Sequence, residues 1–145
     1  MRFLITATSD PSQTTTPGPE QPLDTKLFSA YMKYNEDMHK AGILVASEGI
    51  NPAARGARVG VSRGKRVVLD GPFAETKELI GGFYLIEVKS REEAIEWALR
   101  CPTGLATADL LTIHPMTEES DIPADLVKLI HEAAPEWSAT WKTRK

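Results

Sequence analysis

Cysteine, histidine, surplus charge and long apolar runs are all scarce in this chain of 145 residues, and each scarcity excludes something. Cys101 is the single cysteine, so no intrachain disulfide can form, and it has no Cys or His companions at metal-binding spacing. A reducing cytoplasm is the expected compartment, and no metal is expected. The formal net charge is -3, from 17 basic and 20 acidic residues, which provides no field to collect nucleic acid or an anionic membrane. No apolar stretch reaches the roughly 18 residues of a membrane span, and the opening MRFLITATSD has neither a long apolar centre nor a small-residue cleavage site. Neither export nor membrane insertion is expected. A P-loop and a dinucleotide fingerprint are also missing, so no cofactor is implied.

What is present is ordinary globular material. With 41% hydrophobic and 26% charged residues, the composition matches one domain, and a chain of this size buries roughly two thirds of its unfolded surface.

Residues 2 to 8, RFLITAT, alternate Phe3, Ile5 and Ala7 and read as a first strand. The following SDPSQTTTPGPEQP contains four prolines and a glycine and reads as an exposed loop or flap. From Asp24, the residues Leu27, Tyr31, Tyr34 and Met38 repeat at the spacing of one helical face, with Gly42 placed to end the helix. ILVASEGI (43 to 50) reads as a mostly buried strand, ARVGVSRGKRVVL (57 to 69) as two strands turning at Ser62 to Gly64, and GGFYLIEV as a further strand. Ser90 and Glu93 form a capping-box pattern ahead of Ala94, Trp97, Ala98 and Cys101, and Pro102 stops that helix. TADLLTIHP (107 to 115) is the last strand of the unit, and DIPADLVKLIHEAAP adds a short helix with Leu126, Val127 and Ile130 on its apolar side.

The order is therefore β-α-β, an inserted hairpin, β-α-β and a helical extension. It predicts an α+β, ferredoxin-like antiparallel sheet with both helices on one face, over residues 1–115, followed by a C-terminal helical extension over 116–145 that packs on the same domain or on a dimer partner. The other sheet face would be left open, although GGFYLIEV and ILVAS have apolar side chains in both alternating sets. Such a patch is uncommon in a monomer, so the expectation is a homodimer with two sheets face to face and a space enclosed between them.

The most unusual stretch is VLDGPFAETKELIGGFYLIEV, in which about a dozen residues join two strands that a two-residue turn could connect. Phe73, Leu79 and Ile80 need burial, Pro72 fixes one φ angle and Gly71 frees another, so a shaped loop is expected. Asp70 has two readings. It caps a short turn PFAETKE, bonding the N–H groups of Phe73 and Ala74 because Pro72 has none, or it faces the enclosed space and serves proton transfer. Glu75 and Glu78 share a face of that turn while Lys77 points away, and each is either solvated or in contact with a ligand. Glu48, at a strand end before Gly49, is a turn cap or a site carboxylate.

SEGI, DGPFAETKE, GGFYLIEV and EEAIEWALRCP, in that order over about residues 1 to 115, resemble the DGPF subgroup of the YCII-related protein family. The resemblance implies a ferredoxin-like α+β fold dimerised through its sheets, as a dimeric α/β barrel, and a family of largely unsettled biochemical role. Some DGPF members are encoded beside extracytoplasmic-function sigma factors, and relatives in the wider family are proposed to use a His-Asp pair. Asp70 matches the motif aspartate, but FLITATSD offers Thr6 and Thr8 and no histidine. His39 sits near the end of the first helix, His131 on the extension, and His114, which ends a strand, is the strongest of the three as a catalytic candidate. The tail PEWSATWKTRK departs from the family pattern. Trp137 and Trp141, four apart, form one ridge if helical, either folded onto the protein or presented to a partner.

The expected function is small-molecule binding in an intersheet cleft around the DGPF loop, with a regulatory, sigma-factor-associated role in view. The alternative is a low-turnover enzyme. Asp70, Glu48 and Glu75 are the acid/base candidates, and Gly71, Phe73, Lys77 and Glu78 the ligand-contact candidates.

Overall fold

Alternation fixes which side of the first strand is buried. In the computed structural model, which describes residues 1–9, 25–50, 56–70, 79–102 and 110–141, β1 (Arg2–Ser9) turns Phe3 and Ile5 inward and leaves Leu4, Thr6 and Thr8 half-buried on the opposite face. The proline-rich segment expected to form a flap lies outside the described residues.

Helix α1 (Thr25–Lys40) buries Tyr34 and Met38 completely and Tyr31 in part, whereas Leu27 remains 41% exposed. The expected four-residue stripe therefore serves the core only in its C-terminal half, because a stripe of apolar residues does not reveal how far the neighbouring surface extends. The helix ends in a Schellman motif. The N–H of Ile43 donates to the Met38 carbonyl (3.1 Å) and that of Gly42 to His39 (2.9 Å), with Gly42 at φ 71°. Both Met38 and Ile43 are buried, completing the motif's apolar contact.

The chain continues through β2 (Leu44–Gly49), the hairpin β3 (Ala57–Ser62) and β4 (Lys65–Asp70), β5 (Leu79–Glu87), α2 (Arg91–Leu99), β6 (Leu110–Pro115), α3 (Ala124–Ala133) and α4 (Pro135–Ala139). The main sheet has the order β2-β5-β1-β6 with every neighbouring pair antiparallel, while β3 and β4 form a separate two-stranded sheet. The hairpin turns through Arg63 and Gly64, both at positive φ, as a tight two-residue connection demands. The architecture is mixed α+β, with an antiparallel sheet and several helices.

Ser90 caps α2 as its spacing foretold: its Oγ accepts the Glu93 N–H at 3.2 Å, and the Glu93 carboxylate accepts the Lys89 N–H at 2.8 Å. That orientation sends Ala94, Ala98 and Cys101 into the core.

The core lies between the sheet and α1 and α2. Ile86, Tyr84 and Val88 of β5 and its flank meet Tyr34 and Met38 of α1 and the alanines of α2. The Tyr34 hydroxyl donates to the Trp97 carbonyl at 2.8 Å, and the Tyr34 and Tyr84 rings stand edge to face at 5.4 Å. Burial, and secondarily the nearby Cys101, pushes both phenols well above the usual tyrosine range. Arg100 lies 3.9 Å over the Trp97 ring and covers its outer side.

Candidate functional site

The strand expected to be mostly buried is not. In β2, Val45 is 51% exposed and Glu48 is exposed. The cause is a β-bulge between Leu44 and Ala46. Plain alternation would place Leu44, Ala46 and Glu48 on one side. The bulge inserts one residue and reverses the later part of the strand, so Leu44 pairs with core-facing Ile86 while Ala46 and Glu48 pair with Leu85 and Phe83. Ser47 takes the inward position opposite Tyr84, where its hydroxyl bonds the Asn35 side chain of α1 at 3.4 Å.

Glu48 consequently sits on the face away from α1 and α2. Its backbone is held there by Gly82: a Cβ at that position would fall 2.8 Å from the Glu48 carbonyl oxygen, a distance real side chains do not adopt. Only glycine allows β5 to approach β2 this closely.

The registers give the map of this open face. One row crosses the sheet as Glu48, Phe83, Thr6 and Thr112, and the next as Ala46, Leu85, Leu4 and His114. Leu4, Phe83 and Leu85 are half-buried and form the apolar middle, with Glu48 exposed at one edge and His114 exposed at the other. Thr6 Oγ1 and His114 Nε2 lie 3.5 Å apart, a long hydrogen bond whose direction follows the imidazole tautomer. Strands lie about 4.8 Å apart, so the two edges are separated by about 14 Å. Glu48 and His114 do not meet, but one small molecule lying across the strands can reach both.

Asp70 ends β4 opposite Ala57 and is exposed, and among the described residues its carboxylate has no hydrogen bond or ion pair. Residues Gly71, Phe73, Glu75, Lys77 and Glu78 lie outside the described residues, as do the N–H groups of Phe73 and Ala74 that the capping reading of Asp70 required. The hairpin bearing Asp70 has Val59, Val61, Val68 and Leu69 all more than half exposed. Among the described residues, no group of three or more His, Cys, Asp or Glu side chains is arranged to hold a metal ion. No helix of the described residues is long and apolar enough to cross a membrane.

Sequence reasoning did not select Leu4, Phe83 and Leu85 as site residues. The signal was there, since GGFYLIEV is apolar in both of its alternating sets.

Comparison with known proteins adds three findings. The uncharacterized protein R00369 of Rhizobium meliloti (strain 1021) is 42% identical over 72 residues, which are 50% of this chain and 55% of that protein. The match thus spans about half the length of that relative. A solved structure of 5-chloro-2-hydroxyhydroquinone dehydrochlorinase (TftG) from Burkholderia phenoliruptrix AC1100, in complex with 2,5-dihydroxybenzoquinone, is 20% identical with 85% of this chain and 100% of that chain covered, at a TM-score of 0.39. A likeness of that size carries no argument about site or reaction. The YCII-related domain matches residues 1–118, and the chain belongs to the YCII-related domain family.

Proposed function

We propose that the protein is a homodimeric small-molecule binding protein of the DGPF type, built on a ferredoxin-like plan, with its ligand held between two open sheet faces. The strand order β2-β5-β1-β6 supports the plan, since a split β-α-β unit repeated twice gives this antiparallel arrangement. The observation that carries the reading is the open face itself, where Leu4, Phe83 and Leu85 lie between Glu48 and His114. An apolar floor with a few polar groups at its rim is the usual composition of a ligand site. An apolar sheet face without covering helices also favours association with a second copy. The DGPF loop, following Asp70, is the proposed wall of this cleft, with Gly71, Phe73, Lys77 and Glu78 as ligand contacts. A cytoplasmic, sigma-factor-associated regulatory role is the proposed setting.

The test is a thermal-shift screen of small anionic, cationic and neutral metabolites against the dimer. A ligand that raises the melting temperature without being converted supports the reading, and the shift must shrink in Glu48→Gln or Phe83→Ala. Conversion of that ligand would favour a second reading, a low-turnover enzyme with Glu48, Asp70 or Glu75 in acid/base roles. The Thr6–His114 contact on the same face favours that second reading, because it orients a titratable ring toward the cleft. NMR titration separates the two. A midpoint for Glu48 or Asp70 well above a free carboxylate's supports chemistry, and midpoints like those of exposed acids remove it.

A further inference from the structure

A concavity lies at the end of the open face away from Glu48, where the C-terminal helices approach the sheet. It is a groove of about 610 Å³ lined by residues from both ends of the chain, among them Arg2 and Glu87 of the sheet and Ile130, Trp137 and Trp141 of the extension. Its volume falls within the range of small-molecule sites. Trp137 and Trp141 stand at 76° with centroids 5.0 Å apart, so the two indoles make a corner instead of a flat stack. Trp141 is steadied from behind by His131, at 6.2 Å, whose Nδ1 is hydrogen-bonded to the fully buried Ser138 at 2.8 Å.

The charges around the groove are not equivalent. Glu118 is committed to structure: its Oε1 accepts the Arg2 N–H at 3.1 Å and faces the Met1 amino group at 3.4 Å, and its own N–H donates to the Asp121 carboxylate at 2.8 Å across the turn at Glu119–Asp121. Arg2 and Glu87 are different. They are direct cross-strand partners on β1 and β5 and project on the same side of the sheet, yet no ion pair or hydrogen bond joins their side chains among the described residues. Opposed residues on adjacent antiparallel strands stand about 5 Å apart. A guanidinium and a carboxylate at that spacing, each available, match an ammonium and a carboxylate borne on one carbon.

We infer that this groove binds an aromatic or large apolar α-amino acid as its zwitterion: the ligand's ammonium on Glu87, its carboxylate on Arg2, and its side chain in the corner of Trp137 and Trp141. Charge-assisted bonds to both ends fix orientation, and the indole corner supplies the apolar contact area. The groove occupies the end of the open face that the C-terminal helices cover, one same-face pair beyond Leu4 and Leu85, and shares none of the lining residues named for the proposed cleft.

The test uses the full chain and three probes: L-phenylalanine, 3-phenylpropionate, which lacks the ammonium, and 2-phenylethylamine, which lacks the carboxylate. NMR of the indole N–H signals reports the site, with Trp97, on the other side of the sheet, as internal control. L-Phenylalanine is expected to shift the Trp137 and Trp141 signals saturably and leave Trp97 unmoved, while each analogue binds about tenfold weaker or worse. Glu87→Gln should lower the affinity for L-phenylalanine toward that for 3-phenylpropionate and leave the latter unchanged, and Trp137→Ala should weaken all three. Equal binding of the three probes, or no saturable shift with L-phenylalanine, overturns the assignment. If Glu87→Gln fails to fold, Arg2→Gln serves instead, with 2-phenylethylamine as the probe whose affinity must not change.

Discussion

Adjacent residues on β5 live in opposite worlds. Ile86 is fully buried against α1 and α2, whereas Leu85 lies half-buried on the face those helices do not cover. The same contrast separates Ile5 from Leu4 on β1. The two faces carry side chains of similar chemistry, so hydrophobicity alone does not tell structure from function here. What differs is the cover: the inner face is sealed by elements of its own chain, and the outer face by none of the described helices except near the groove at Arg2 and Glu87.

Substitutions on the two faces should accordingly separate. Ile86→Ala removes fully buried methyl groups and should cost about 2–5 kcal/mol in urea unfolding, with midpoint and not slope changing. A loss well below 1 kcal/mol would mean the inner face is not the core. Gly82→Ala comes next, at about 1–3 kcal/mol, because the new Cβ must push β2 away from the Glu48 carbonyl. Chemical-shift changes centred on residues 47–49 should accompany it, and a neutral outcome would show that the two strands are not held so close.

Tyr34→Phe removes the bond to the Trp97 carbonyl and should cost about 1 kcal/mol. The same residue sharpens the contrast through pH. Both Tyr34 and Tyr84 have folded-state values raised above the ordinary tyrosine value, which lies near 10. Below that pH neither the folded nor the unfolded phenol has lost its proton, and the stabilising effect is complete. Above it the unfolded chain releases protons that the folded chain retains, so stability falls as pH rises. Melting curves from pH 9 to 11.5 should show this fall, shallower in Tyr84→Phe, and equal slopes would contradict burial of the two hydroxyls. The smallest effect on the fold is expected from Leu85→Asp, which should leave the monomer folded while abolishing self-association.

The elements that govern themselves locally were legible in the sequence. Ser90 and Glu93 cap α2, Gly42 ends α1, and Arg63–Gly64 turns the hairpin, all through residues a few positions apart. The face that Glu48 occupies was not legible, because it depends on a bulge that only the pairing with β5 reveals. The groove was half legible. Trp137 and Trp141 announced a ridge by their spacing, but the Arg2–Glu87 rung that faces it joins residues 85 positions apart in sequence. The acid/base and ligand-contact assignments in 71–78 lie outside the described residues, and Asp70 is exposed at the end of β4.

The most direct measurement is sedimentation equilibrium of the wild type and Leu85→Asp at micromolar concentration. The account requires the wild type to sediment as two chains of 15.9 kDa each and Leu85→Asp as one folded chain. A wild type that remains a single chain, with its outer face in water, would contradict it.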